Sequence, residues 1–62
     1  MPRQQLVEVI GRNGHVVESH MVEIAHDDCI DAEFEEIALV LTERGGKVRE
    51  AEHVHLRARC VK

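Results

Sequence analysis

The chain has very few aromatic residues. It contains no Trp and no Tyr, and Phe34 is the one aromatic side chain among 62 residues. An aromatic side chain buries about 150–250 Å², and a domain of this length buries only about 60% of its unfolded surface. A core of Val, Ile, Leu, Ala and Met therefore has a deficit of buried apolar area. Small domains usually offset such a deficit with disulfides, a metal or oligomerisation.

Cysteines and long apolar runs are also scarce. Cys29 and Cys60 are too few for a disulfide-stapled scaffold. No apolar run follows Met1 as in a signal peptide, and no stretch is long enough to span a bilayer. We therefore expect a cytoplasmic protein with no membrane attachment, in which both cysteines are thiols. Oligomerisation is then the first expected supplement to the core.

Basic residues are absent from the middle of the chain. Residues 18–43 contain nine acidic and no basic residues, whereas residues 44–62 contain six basic residues. This asymmetry predicts surfaces of opposite sign on one domain. The first interpretation is that these charges are solvated and pair with each other.

The clearest local pattern is a β-hairpin. Residues 6–10 form a short β-branched run, residues 15–25 form the returning strand, and Asn13-Gly14 is a strong turn signal between them. A three-residue loop would place Glu8 opposite Glu18, and like charges in that position are unfavourable. The two-residue loop is therefore predicted. Its pairs are Ile10 with Val17, Glu8 with Ser19, and Leu6 with Met21.

This register divides the hairpin into two apolar faces. The second face lies beside Glu18 and His20 and is too apolar to be left wholly in water, which indicates a partner surface. The first face carries Leu6, Ile10, Val17 and Met21. The second face, the predicted interface, carries Val7, Val9, Val16 and Val22.

A helix is predicted after the hairpin, which ends at the turn residues His26-Asp27-Asp28. It should begin near residues 29–32, with Asp28 or Asp31 as its cap and acidic residues in its first turns. Gly45-Gly46 after Arg44 predicts its end. The helical spacing predicts a buried stripe of Ile30, Phe34, Ile37, Ala38 and Leu41.

The last strand is predicted over residues 53–61, where polar and apolar residues alternate. Strand, strand, helix, strand predicts an α+β domain spanning residues 1–62, with a ββαβ topology. A right-handed crossover gives a three-stranded antiparallel sheet in the order 2-1-3, with the helix on one face. The last strand would place Val54, Leu56, Ala58 and Cys60 on one side and His53, His55, Arg57 and Arg59 on the other.

That second set of side chains is the first candidate site. Four groups that can carry positive charge on one sheet face predict binding of phosphates or another acidic surface. Readers of single-stranded nucleic acid also need aromatic platforms, and the single Phe34 is expected in the core. Glu8 and Glu18 on neighbouring strands are expected to pair with the arginines.

Metal binding and catalysis have weaker signatures. His53 and His55 would lie about 7 Å apart on one strand, with His20 as a third nitrogen, but Cys60 points to the opposite face. His26-x-x-Cys29 supplies two more ligands without a recognisable zinc spacing. Acidic neighbours oppose a thiolate at Cys29, which is expected to be a small, semi-buried apolar residue.

The sequence thus predicts a non-enzymatic domain without a cofactor or metal. It is expected to act by self-association, as a homodimer, or by binding another protein. The alternative is nucleic-acid or anion binding by His53, His55, Arg57 and Arg59, and a metal-responsive module is third.

Overall fold

The chain forms one layer of sheet covered on one face by a helix. The computed structural model describes residues 3–25 and 28–61. Within these residues the sheet is antiparallel, and its strand order is β2-β1-β3. The predicted α+β fold, topology and strand order are therefore confirmed. The elements are β1 (Arg3–Ile10), β2 (Val16–Ile24), α1 (Asp31–Gly45), a 3₁₀ helix (Glu50–His55) and β3 (Arg57–Val61).

The Gly11–His15 pair closes a hairpin loop of three residues, 12–14, between β1 and β2, so the predicted two-residue loop is wrong. The N–H of Gly11 donates to the carbonyl of His15 at 3.0 Å, and the N–H of Gly14 donates to the carbonyl of Gly11 at 3.0 Å. Gly14 has a φ of 81°, a conformation that glycine adopts without a Cβ clash. A three-residue hairpin loop requires such a left-handed residue.

A β-bulge reconciles this turn with the charges on the strands. Next to the turn Ile10 pairs with Val16, and not with Val17 as predicted, because the register shifts between Val9 and Ile10. Beyond the shift Glu8 lies opposite Ser19, as predicted. The extra residue in β2 thus permits the three-residue loop without setting two glutamates opposite each other.

The helix covers the hairpin face that was predicted to meet a partner. Val7, Val9 and Val22 are buried in the core beneath α1, and Val16 is half-exposed. The predicted interface centred on Val7, Val9, Val16 and Val22 is therefore wrong. Strand alternation places residues on a common face, but only the path of the helix decides which face becomes the core.

The helix begins and ends where expected but has a different cap. Gly46 follows its last residue with a φ of 77°, the left-handed cap that the two glycines predicted. Ile30 occupies the N-cap position and makes no side-chain cap hydrogen bond. The predicted caps, Asp28 and Asp31, are therefore wrong.

The buried row of α1 also differs from the predicted stripe. Phe34, Ala38 and Thr42, each four residues apart, are buried. Ala38 and Phe34 were expected in this row, whereas Thr42 was not. A sheet of three strands covers only a narrow strip of the helix, which leaves part of the predicted stripe in water. The exposed members of that stripe are Ile30, Ile37 and Leu41.

The last strand begins at Arg57, four residues later than predicted. Arg57 pairs with Ile10, where β1 ends, so the residues before Arg57 lie beyond the strand they would pair with. They form the 3₁₀ helix instead, and Val54 is 83% exposed rather than core-facing. The remaining predicted inward residues, Leu56, Ala58 and Cys60, pack against the core.

Candidate interaction surfaces

The predicted cationic face is divided between two elements. Arg57 and Arg59 belong to β3 and alternate with core-facing Ala58, so they lie on the sheet face away from α1. His53 and His55 belong to the 3₁₀ helix. The Nε2 atom of His53 lies 3.2 Å from the carbonyl oxygen of Val48. The four side chains therefore do not form the continuous strip that strand alternation predicted.

Arg59 is paired across the sheet, as expected. Its Nε and Nη2 atoms both donate to Oε1 of Glu8, at 2.9 and 2.8 Å, and the two residues lie directly opposite each other on β3 and β1. An anion at Arg59 would have to compete with this carboxylate. Glu18, the other expected partner of the arginines, instead contacts Nζ of Lys47 at 3.8 Å.

A third basic side chain, that of Arg12, lies near Arg57 and His55. These two residues and Arg12, from the hairpin turn, line a shallow depression of about 350 Å³. The Nε atom of Arg12 lies 3.6 Å from Oε1 of Glu52. Sequence alternation did not indicate Arg12, because the turn brings it beside the end of the 3₁₀ helix.

His20 lies under the helix, and not on an exposed face with His53. Its Nε2 atom is 2.6 Å from Oε1 of Glu18 and 3.0 Å from Oγ1 of Thr42. Within residues 3–25 and 28–61, no three His, Cys, Asp or Glu side chains come together as a metal site. His26 and Asp27 lie outside the described residues, so this statement does not cover the predicted His26-x-x-Cys29 pair.

Cys29 is a packed residue at the start of the helix. It is buried, and its carbonyl accepts a hydrogen bond of 2.7 Å from Nη1 of Arg3. The same guanidinium lies 3.8 Å from the Cys29 sulfur and 5.2 Å from the centre of the Phe34 ring. These contacts of Arg3 join β1 to the beginning of α1. Cys29 therefore has a structural role.

The apolar side of α1 that the sheet does not cover forms a groove, here called the α1 groove. Its apolar wall consists of Ile37, Val40 and Leu41 from the helix and Ile24 from β2, and its volume is about 590 Å³. The three helical residues are 38–44% exposed. Its charged border consists of Glu33, Glu36 and Arg44.

The sheet face away from α1, here called the open face, is mixed in polarity. Met21, Leu6 and Val61 form one cross-strand row, and Met21 is 61% exposed. The next row, Ser19, Glu8 and Arg59, is polar. Antiparallel sheets commonly leave such a face to water.

Comparisons with protein-family models, curated proteins and solved structures gave no match to this chain. None of the helices in the described residues is long and apolar enough to cross a membrane. A function must therefore be inferred from the surfaces of the protein itself.

Proposed function

We propose that the protein is a non-catalytic association domain that acts as a homodimer. The observation that carries this proposal is the balance between buried and exposed apolar residues. In the described part of the chain, six apolar residues form the buried core, whereas nine large apolar residues are exposed. A core of this size leaves a short chain marginally stable, and burial against a partner adds the missing apolar area.

A second copy of the chain is the partner that the surfaces favour. Twofold homodimers are the commonest soluble assemblies, and the α1 groove carries both signs of charge at its border. The same surface can therefore complement itself. A partner of another kind would need to match a surface that is apolar in the middle and acidic at one end.

The cationic alternative has less support from the geometry. Arg59 is neutralised by Glu8, and His53 contacts a backbone carbonyl. Phe34, which could have stacked on a base, is fully buried. Proteins that bind nucleic acid contact its phosphates, and those that bind single strands also stack bases on exposed aromatic side chains. Self-association is therefore favoured over nucleic-acid binding.

Sedimentation velocity over a wide dilution series tests the proposal. The mass should rise with concentration from the 7.1 kDa of one chain toward that of two. Because folding and association are linked, the thermal midpoint should rise with protein concentration as well. A single-chain mass at every concentration, with a midpoint independent of dilution, would contradict self-association.

A further inference from the structure

We infer that the α1 groove is the dimer interface and that its occupant is the α1 helix of a second copy, packed antiparallel. This inference depends on the proposed self-association and specifies how it occurs. The surface involved is the flank of the helix beside the row that packs on the sheet, next to Ile24 of β2. It was not recognised in the sequence because Ile37 and Leu41 were assigned to the buried stripe.

The spacing along α1 supports a helix as the occupant. Two stripes of residues run along the helix, one packed on the sheet and one exposed, and the exposed stripe contains both apolar and charged residues. The exposed stripe alternates steps of three and four residues, which is the a/d spacing of helices that pack side by side. Leu41 widens the stripe toward Ile24 of β2. The stripe consists of Ile30, Glu33, Ile37, Val40 and Arg44.

The four members of the stripe that lie within α1 are symmetric about one point. Ile37 and Val40 lie equally far from the point between Ala38 and Leu39, and so do Glu33 and Arg44. An antiparallel pair with a twofold axis at that point places Ile37 of one copy against Val40 of the other. The apolar residues then meet in the centre of the seam, and Ile37 contacts Val40 in both directions, as an isologous interface requires.

The charges on α1 favour antiparallel packing of the two helices. In that arrangement Glu33 of each copy lies opposite Arg44 of the other, so an ion pair closes each end of the seam. A parallel pair would set Glu33 against Glu33 and Arg44 against Arg44, and like charges across an interface are unfavourable. The opposed helix dipoles also favour the antiparallel pair.

The dimensions predict a reversible dimer. Helix α1 has 15 residues and is therefore about 22 Å long at about 1.5 Å per residue. A seam of that length between two helices is at the small end of specific interfaces, below about 1,200 Å². We therefore expect dissociation in the micromolar range, where dilution separates the two copies.

The open face is the competing surface, and it supplies the control. Its central row contains Glu8 and Arg59, whose charges already satisfy each other within one chain. Met21 on that face is as apolar as Val40 and more exposed. A lysine at either position adds the same charge at a solvent-accessible site.

The first experiment compares Val40→Lys with Met21→Lys by sedimentation equilibrium. Lysine has a higher helix propensity than valine, so Val40→Lys should remain folded, which far-UV circular dichroism checks. Val40→Lys should weaken dimerisation about tenfold or more, as expected at the centre of an interface. Met21→Lys should leave it unchanged.

The outcomes separate this inference from the proposed function. If the parent protein never dimerises, both are wrong. If the parent dimerises but Val40→Lys does so equally well, the interface lies elsewhere and only the inference is overturned. Loss of dimerisation in Met21→Lys alone would identify the open face instead.

The second experiment exchanges the end charges. Glu33→Arg alone sets two arginines opposite each other at both ends of the seam, and Arg44→Glu alone sets two glutamates there. Each variant should dimerise poorly, but an equimolar mixture should form a heterodimer in which both end pairs are of opposite charge. Helix stability alone does not produce recovery on mixing. A mixture that stays monomeric while the parent dimerises would overturn the antiparallel seam.

Discussion

The imidazole of His20 and the hydroxyl of Thr42 join the sheet to the helix, with Nε2 and Oγ1 3.0 Å apart. Thr42 is fully buried and is the polar member of a row that begins with Phe34 and Ala38. A buried hydroxyl is costly without a hydrogen-bond partner, and His20 supplies it. This contact explains why a histidine on β2 lies beneath α1.

Replacing Thr42 with valine should test that contact, because valine has nearly the same shape but no hydroxyl. The free energy of unfolding should fall by about 1 kcal/mol, the usual net value of one hydrogen bond. His20 keeps its contact with Glu18, 2.6 Å away, so the loss should not be larger. Urea denaturation measures the change. An equal loss in a His20→Ala background would show that the hydroxyl does not act through His20.

Phe34→Ala should be the most damaging single truncation in the core. Phe34 is fully buried, and removing a buried aromatic ring costs about 3–5 kcal/mol through lost burial and a cavity. The matched control is Val54→Ala, at a site that is 83% exposed. Its urea midpoint should equal that of the parent. A Phe34→Ala midpoint equally close to the parent would mean that the ring is not part of the core.

The adjacent glycines at the end of α1 should respond to alanine in opposite directions. Gly45 is helical, and a Cβ there would lie 3.9 Å from Oε2 of Glu18, an ordinary contact. Gly45→Ala should therefore stabilise the fold by about 0.5–1 kcal/mol. Gly46 has a φ of 77°, so Gly46→Ala should destabilise it by about 1–2 kcal/mol. Thermal midpoints of the two variants should lie on opposite sides of the parent's. Equal shifts would contradict the left-handed cap.

Replacing both Arg57 and Arg59 with glutamine should change the free energy of unfolding by less than about 1 kcal/mol. The pair between Arg59 and Glu8 is solvent-exposed, and exposed ion pairs contribute little. Glu8→Gln, which breaks the same pair from the other side, is the matched control. Neither the parent protein nor the double variant should bind DNA or RNA. A salt-sensitive binding present in the parent and lost in the double variant would favour the nucleic-acid alternative.

The sequence by itself determined the features that depend on local backbone physics. Alternation assigned Val7, Val9 and Val22 to a common face, and the glycines marked the hairpin and the end of the helix. The order of the strands followed from the order of the elements and the handedness of the crossover. These features depend on φ, ψ and side-chain period, so neighbouring residues suffice to predict them.

Only the tertiary structure decided which surfaces are available for function. Period-2 alternation defines two faces of a hairpin but does not say which one a helix will cover, and the helix covered the face expected to bind a partner. The start of β3 depends on where β1 ends, and not on the alternation of residues 53–61. The α1 groove, likewise, exists because a sheet of three strands is too narrow to cover all the apolar residues of its helix. Long-range packing sets each of these outcomes, and no local pattern in the sequence encodes it.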